Sequence, residues 1–201
     1  MKRIMLTIIA PLFAAQVALA DNVVVGQKLP PVVIEDKGEM VIEYDVVDGV
    51  MKYKDGSDIT YKTFNSADLT GKIQTIYHLA ARSGADELNQ PFIDALIAAK
   101  VPEHGPDSPY KTTTILNIDD ALWGTSGVAT GRLADSQKGA AYAYHVIDAK
   151  GLALKNWGLK AKSSAVIVVD RDNKVLYFKD GKMSKDEIAS VIALIEKHLA
   201  M

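Results

Sequence analysis

Apolar and polar positions along the chain form blocks that predict strands and helices in alternating order. β-Branched and apolar runs predict strands at Ile73–Leu79, Thr112–Asp119 and Ala165–Asp170, because such residues fit the buried, pleated positions of a sheet. Apolar residues at helical spacing predict an amphipathic helix after the first of these strands and another at the C-terminus, where Ser184 and Glu187 have the spacing of a capping box. Strands that alternate with helices predict an α/β fold.

Further elements complete this pattern. Val128–Lys138 and Leu152–Trp157 are expected to be helical, and Tyr142–Asp148 is expected to be a strand. Val175–Phe178 follows Ala165–Asp170 after four polar residues, so these two strands should pair antiparallel. The central sheet is therefore predicted to be mixed.

The N-terminal third has turn signals between β-rich runs, which predict two hairpins. One is expected over residues 32–44, with a turn at Asp36-Lys37-Gly38, and one over residues 46–64, with a turn at Lys54-Asp55-Gly56-Ser57. The strands of the second hairpin carry many charges, as a solvated edge does. We therefore expect residues 39–64 to form a β-hairpin insertion in a domain that spans residues 21–201.

The stretch from Gly71 to Asp94 reads as a strand, a short polar corner and a helix. Ser83 is expected to cap that helix, and Asp86 suits its positively polarised N-terminus. Pro91 falls within the apolar stripe and is expected to kink the helix. The corner itself is Ser83-Gly84-Ala85-Asp86, preceded by Arg82.

Residues 1–20 have the pattern of a cleavable signal peptide. Lys2 and Arg3 precede an apolar run, and Ala18-Leu19-Ala20 fits the small-x-small pattern of a cleavage site. A transmembrane anchor is the competing interpretation, but the run is shorter than the ~20 apolar residues that a bilayer requires and contains Pro11. We expect cleavage after Ala20, export to the periplasm and no stable membrane anchor.

Charge and cysteine content exclude several classes of function. Removal of residues 1–20 leaves 21 basic and 25 acidic residues, a net charge of −4, and no long basic run, so nucleic acid is not an expected partner. The chain of 201 residues contains no cysteine. Thiol oxidoreductase or peroxidase activity is therefore not expected, because both need a thiolate nucleophile.

The corner is the first candidate binding site. Arg82 and the N–H groups of a helix start at Ser83 and Gly84 could hold a small anion or a carboxylate, and an ordinary capped helix is the alternative. Ser83 could act as a nucleophile only with a base such as His78, and no nucleophile-elbow motif surrounds it. Arg82, Ser83, Gly84 and Asp86 are the candidate binding residues, and no catalytic residue is assigned.

The histidines and tryptophans are weaker candidates. His78, His104, His145 and His198 are far apart in sequence and form no close ligand pair, so neither a metal nor a cofactor is expected. Trp123 and Trp157 could form a binding platform, although a tryptophan near a core more often serves packing.

From Leu69 onward, the order of elements resembles the thioredoxin-like fold, which implies a three-layer α/β/α sandwich with a mixed central sheet, here with an extra N-terminal hairpin region. Against the redox members, Ser83 and Asp86 occupy the two cysteine positions, and Pro91 matches the proline of the following helix. Redox members have a cis-proline where this chain has Ser164. Since a cis bond without proline costs about 2.5–4 kcal/mol, we expect the Ser163–Ser164 bond to be trans.

Several longer motifs are spread over nearly all of the chain after residue 20. They are GQ-x-x-PP, YKTFNSADLTGK, the H-x-A-x-R pattern of His78–Arg82, KTTTILNIDDA and SSAVIVVD. With these motifs the chain resembles the YtfJ family, exported bacterial proteins with a thioredoxin-like fold and no assigned activity, which implies a periplasmic location. The hairpin around Asp55-Gly56 is longer than the resemblance implies.

Two functional classes follow from these observations. The first is a non-catalytic binding or adaptor protein whose sheet edge or cysteine-free corner holds a periplasmic protein or peptide. The second is a non-thiol enzyme that uses Arg82, Ser83 and Asp86. An open corner beside an apolar patch would favour the first class, whereas a cleft with a perturbed acid or base would favour the second.

Overall fold

The centre of the molecule is a mixed β-sheet, seen in a computed structural model that describes residues 22–101, 107–139 and 141–201. Seven strands of the described chain form it: β1 (Val33–Val41), β4 (Thr60–Asn65), β5 (Ile73–Ala80), β6 (Tyr110–Asn117), β7 (Tyr144–Asp148), β8 (Ser164–Val169) and β9 (Val175–Asp180). Their order is β4–β1–β7–β6–β5–β8–β9. The central strands β5, β6 and β7 run parallel, and every other neighbouring pair is antiparallel.

Helices cover both faces of the sheet, because successive residues of each buried strand point to opposite sides. The helices are α1 (Gln90–Ala98), α2 (Ser126–Gly139), α3 (Leu152–Trp157) and α4 (Lys185–Leu199). On β5, Tyr77 belongs to the cluster of buried residues that includes α1 and α4, whereas its neighbour Ile76 belongs to the cluster that includes α3. The predicted three-layer α/β/α sandwich with a mixed sheet is confirmed.

The first predicted hairpin is wrong, because residues 33–41 form one continuous strand. Lys37 and Gly38 have φ angles of 70° and 78°, and the register between β1 and β4 shifts between Ile34 and Glu39. A Cβ at Gly38 would lie 2.3 Å from the carbonyl oxygen of Lys62, so only glycine fits there. The Asp-Lys-Gly signal thus marks a bulge within a strand and not a turn.

The second predicted hairpin is displaced. The two strands outside the main sheet are β2 (Tyr44–Val47) and β3 (Val50–Tyr53), which pair antiparallel around Asp48 and Gly49. These two residues have φ angles of 54° and 77°, as a two-residue hairpin turn with positive φ at both positions requires. The extra hairpin is therefore present, but it is narrower than residues 39–64, since β4 belongs to the main sheet.

The C-terminal half follows the predictions. β8 and β9 pair antiparallel, and α4 begins with the expected capping box, in which Ser184 and Glu187 exchange side-chain and backbone hydrogen bonds. The Ser163–Ser164 bond is trans, as expected. Within the described ranges, no helix is both long and apolar enough to cross a bilayer. Residues 1–20 lie outside the described residues, so the signal peptide stays a prediction.

Candidate functional site

The corner after β5 is an irregular turn, and the prediction that a helix begins at Ser83 or Gly84 is wrong. Residues 87–89 form a short 3-10 helix and α1 begins only at Gln90. Ser83 is exposed and makes no capping bond, whereas the Asp86 carboxylate accepts the N–H of the next residue at 3.2 Å. Pro91 lies in the first turn of α1, where its missing N–H has no cost, so it starts the helix instead of kinking it.

The side chain of Asn89 lies in the interior of this corner and makes three hydrogen bonds there. It is buried, and its amide nitrogen donates to the Ser164 hydroxyl and to the carbonyl of Gly181, each at 3.0 Å. Its amide oxygen accepts the N–H of Met183 at 2.9 Å. Asn89 is the residue before α1, yet its side chain makes no capping bond to that helix, because these contacts occupy it.

Tyr77 contacts the turn from its buried side. Its hydroxyl donates to the carbonyl of Asp86 at 3.2 Å, and burial raises the pKa of that hydroxyl. The buried polar groups of Tyr77, Asn89 and Ser164 thus hold the turn in place. The side chains exposed above them are those of Ser83 and Asp86.

Arg82 is tied to the loop that follows β6. Its Nε donates to the carbonyl of Asp120 at 2.8 Å. The Asp120 carboxylate in turn accepts the side-chain amide of Asn117 at 3.2 Å and the backbone N–H of Lys162 at 2.9 Å. Asp120 therefore joins three segments at this end of the sheet. Arg82, Ser83, Gly84 and Asp86 lie on one turn, but the helix N-terminus expected to complete an anion site begins further along the chain.

The described histidines are not placed for catalysis with Ser83. His78 is buried on β5, and its Nε2 has no hydrogen-bond partner. Burial lowers the pKa of His78 to about 4, while the negative charges of Asp148 and Asp120 act in the opposite direction. No described base is hydrogen-bonded to the exposed Ser83 hydroxyl, so a serine nucleophile has no activating partner there.

His145 lies on β7 and contacts α2. Its Nδ1 is 2.6 Å from the side-chain oxygen of Gln137, and burial lowers the pKa of His145 to about 4. Gln137 also contacts the hydroxyl of Tyr44, which connects α2 to the β2–β3 hairpin. His104 lies outside the described residues, and His198 is on α4. Among the described residues, no three metal-ligating side chains lie together.

The two tryptophans have opposite surroundings. Trp157 is fully buried, and its indole nitrogen donates to the carbonyl of Pro30 at 2.8 Å, so it is a core residue. Trp123 is fully exposed on the loop between β6 and α2. Leu122 and Val128 beside it are also more than half exposed. Sequence reasoning treated the two tryptophans alike, and only the structure separates the platform candidate from the packing residue.

A shallow groove at the base of the β2–β3 hairpin is a feature that sequence reasoning missed. An ion pair of 2.8 Å between Lys54 and Glu43 lies in it, and both side chains are more than half exposed. The groove is open and solvated, and nothing in its lining sets it apart chemically from ordinary surface. Its lining residues are Val41, Glu43, Lys54, Asp55, Gly56, Ser57, Asp58 and Thr60.

Comparison with known proteins gives a match along most of the chain. Residues 23–198 match the family described as bacterial proteins of unknown function, YtfJ_HI0045. The uncharacterised protein YtfJ of Escherichia coli K12 is 36% identical over 188 residues, which cover 94% of each chain. An uncharacterised protein of Haemophilus influenzae is 33% identical over 195 residues, which cover 97% of each chain.

Solved structures with the same fold are more distant in sequence. A proposed thiol:disulfide interchange protein DsbE from Chlorobium tepidum has a TM-score of 0.56 at 18% identity, over 88% of this chain and 99% of that one. A proposed protein disulfide isomerase from Bacteroides thetaiotaomicron has a TM-score of 0.55 at 16% identity, over 89% and 92%. At these identities the likeness establishes the thioredoxin-like fold alone.

Proposed function

We propose that this chain, which belongs to the YtfJ family of bacterial proteins, is an exported periplasmic binding or adaptor protein without catalytic activity. The fold is thioredoxin-like and the chain has no cysteine. A thioredoxin-like scaffold without thiols keeps the fold but not the redox chemistry. Binding of a protein or peptide is a function that this shape alone can support.

The observation that carries the proposal is the division of the corner into a bonded interior and an open surface. On the buried side of the turn, the side chain of Asn89 donates hydrogen bonds through its amide nitrogen and accepts one through its amide oxygen, all with neighbouring segments. Above the turn, Ser83 and Asp86 are exposed to solvent. A catalytic site requires a reactive group next to an acid or base in a cleft, whereas an open surface on a rigid base suits a docking partner.

Exposed apolar side chains beside the corner support binding further. Arg82 bonds to Asp120, and the fully exposed Trp123 is three residues later on the same loop. Aromatic residues are enriched where proteins bind one another, since they bury a large area with little loss of side-chain freedom. The bond from Arg82 to Asp120 thus links the corner to this loop, and the proposed binding surface includes both.

The periplasmic location rests on the N-terminal sequence. A basic start, an apolar run and the Ala18-Leu19-Ala20 site have the order of a signal peptide. After cleavage the protein has 21 basic and 25 acidic residues, and this acidic balance does not favour nucleic acid or an anionic membrane as its partner. A soluble or peptide-like partner in the same compartment fits these features.

Site-specific photo-cross-linking in living cells tests this function. Ser83 is replaced with p-benzoylphenylalanine, since its exposed side chain makes no structural bond. The control carries the same group at Ser190, which is exposed on α4. We expect a discrete cross-linked product from position 83 that is absent from position 190. Identical patterns from both positions, or no product from position 83, would contradict a binding function at the corner.

A further inference from the structure

The two edge strands of the main sheet, β9 and β4, differ in how they are covered. Beside β9, the N–H of Gly26 donates to the carbonyl of Val175, and the N–H of Val175 donates to the carbonyl of Gln27, both at 2.8 Å. The N-terminal segment therefore closes the start of that edge. β4 pairs with β1 on one side, and no strand of the described chain pairs with its other side. This edge of the sheet is thus open.

The backbone groups that face outward from β4 follow from its contacts with β1. The N–H of Ser66 donates to the carbonyl of Val32 at 2.9 Å. At Gly38 on β1, a Cβ would lie 2.3 Å from the carbonyl oxygen of Lys62 and 3.1 Å from the backbone nitrogen of Phe64. The even-numbered residues of β4 therefore direct their backbone groups toward β1. Because these groups alternate along a strand, the residues whose N–H and C=O groups face away from β1 are Tyr61, Thr63 and Asn65.

β4 has few of the features that protect an edge strand. Natural edges are protected by proline, by charged side chains and by bulges. The sequence of β4, TYKTFN, has no proline and one charged residue, Lys62, which forms an ion pair of 3.1 Å with Glu39. The extra residues of the bulge between the two strands belong to β1. Threonine, tyrosine and phenylalanine favour strands, so β4 suits the addition of an extended peptide through main-chain hydrogen bonds.

Unpaired carboxylates lie at the N-terminal end of this open edge. Asp55 and Asp58 line the groove that leads into Thr60, and both are exposed. The lysine of the groove, Lys54, pairs with Glu43 at 2.8 Å. Neither Asp55 nor Asp58 forms an ion pair in the described part of the chain. This end of β4 therefore carries negative charge that no neighbouring lysine neutralises directly.

The wider surroundings of the groove have the same sign of charge. Residues 43–60 contain five acidic and two basic residues. The pKa of Lys138 is raised mainly by its hydrogen bond and ion pair with Asp135, at 3.0 Å, and Asp55 makes the weakest contribution. On their own these carboxylates are ordinary surface charges. Their position at the end of an open strand is what makes them selective for a strand with positive charge at that end.

A second copy of the chain fits this edge poorly. A symmetric antiparallel pair of β4 strands centred on Thr63 would place Asp58 of one copy at the end occupied by Asp68 of the other, since both are five residues from Thr63. Like charges at opposed positions destabilise strand pairing. A segment with a basic residue at that end would meet the carboxylates with the opposite sign of charge.

We infer that the open edge of β4 binds an extended segment of a partner protein as an additional strand of the main sheet, with a Lys or Arg of that segment beside Asp55 and Asp58. The backbone supplies the hydrogen bonds, and the exposed carboxylates contribute orientation that weakens as salt rises. Strands β1, β7 and β6 lie between β4 and β5, so this surface is separate from the corner that follows β5. It is a second binding surface, independent of the one proposed at the corner.

Peptides selected from a displayed library of random dodecapeptides on the immobilised protein are the probes. We expect them to contain a run of β-branched or aromatic residues next to Lys or Arg. Thr63→Pro should weaken their binding at least about tenfold, because it removes an outward N–H and leaves the ladder to β1 intact. Thr63→Ala is the matched control, since it keeps the N–H and should leave affinity unchanged.

Methylation of peptide nitrogens tests the same hydrogen bonds in the unchanged protein, and decides the matter even if Thr63→Pro fails to fold. Because amides alternate along a strand, methylation of one alternate set of peptide nitrogens should abolish binding, and methylation of the other set should be tolerated.

A pair of double variants tests the charge. Asp55→Asn with Asp58→Asn should weaken binding about two- to tenfold at low salt and flatten the dependence of affinity on salt. Asp68→Asn with Asp172→Asn makes an equal change in net charge at exposed residues away from the groove, and should leave binding unchanged. Equal effects of the two double variants would overturn the assignment of the basic residue to the groove.

Recovery of no peptide, equal effects of the two methylation sets, or unchanged affinity for a folded Thr63→Pro variant would overturn strand addition. Dimerisation of the wild type that Thr63→Pro abolishes would also overturn it, by assigning the edge to a second copy. Peptides that bind Thr63→Pro normally and lose affinity for Trp123→Ser would overturn this inference and leave the binding function of the corner standing.

Discussion

The side-chain amide of Asn89 donates to the hydroxyl of Ser164 over 3.0 Å, and this bond joins the start of α1 to the start of β8 inside the corner. Both residues are almost fully buried. Asn89 also bonds to Gly181 and Met183, so one side chain connects the corner to β8 and to the segment before α4. The interior of the corner is therefore held together by the buried side-chain amide of Asn89.

Asn89→Ala should destabilise the fold strongly. It removes three hydrogen bonds and leaves the Met183 N–H and the Gly181 carbonyl without their partner, at an expected cost of about 2–4 kcal/mol in the free energy of unfolding. Ser164→Ala removes one of these bonds and should cost less. Urea denaturation measures both. A loss of under about 0.5 kcal/mol for Asn89→Ala would show that the network is not structural.

Ser83→Ala should leave stability within about 0.5 kcal/mol of the wild type, because Ser83 is exposed and caps no helix. Ser184→Ala is the matched control, since Ser184 caps α4 and its loss should cost about 0.5–2 kcal/mol. The same denaturation experiment compares the two. Equal losses for both variants would mean that Ser83 has a structural role that its contacts do not reveal.

The protein should lose stability as the pH falls from 7 to 5. The pKa of His78 is about 4 in the folded state, against about 6.5 when unfolded, so the unfolded chain takes up a proton first as the solution is acidified. The loss begins near pH 6.5 and is complete near pH 4. It amounts to about 2 kcal/mol between pH 7 and 5 for one such histidine. Denaturation midpoints across this range measure it.

Substitutions distinguish the contributions of the two buried histidines, His78 and His145, to the pH dependence of stability. His78→Leu should reduce the loss of stability between pH 7 and 5 without a large cost at pH 7, since the buried Nε2 that it removes has no partner. His145→Leu should also reduce the loss, but with a cost at pH 7, because it leaves the side-chain oxygen of Gln137 without that contact. An unchanged pH dependence in both variants would refute the assignment. Glu187, whose pKa Lys179 lowers to about 2, titrates below this range.

The sequence predicts the sheet and the helices well where a local pattern agrees with burial. AVIVVD lies almost entirely within the fully buried strand β8, and Ser184 to Glu187 is a capping box, as expected. Turn signals predict the positions of hairpins less well. Asp48-Gly49 and Asp55-Gly56 are the same dipeptide, and only the first forms the hairpin, where Tyr44 lies opposite Tyr53. Cross-strand pairing of this kind depends on the partner strand and not on the turn alone.

The site was harder to predict because its key distinctions are tertiary. Trp123 and Trp157 are each followed by glycine, so their local sequences look alike, yet one is fully exposed and the other fully buried. The role of Asn89 was missed for a similar reason, since its partners are 75 or more residues away in sequence. The predicted kink at Pro91 is wrong, because proline is also favoured in the first turn of a helix, where Pro91 lies.

The mature protein is expected to begin at Asp21. Cleavage after Ala20 follows from the small residues at positions 18 and 20 and from the apolar run before them. Intact-mass measurement of the protein recovered from the periplasmic fraction checks this. A mass that includes Met1 and residues 2–20, or recovery only from the membrane fraction, would contradict export with cleavage.

The most direct measurement is the yield of the photo-cross-link from position 83 in chains that carry one further substitution. We predict that Trp123→Ser greatly reduces the yield of the specific product, because the partner loses its apolar anchor beside the corner. Ile97→Ser, at a similarly exposed apolar residue on α1, should leave the yield unchanged. Equal yields in the two variants and the unsubstituted chain would contradict a partner-binding corner that extends to Trp123.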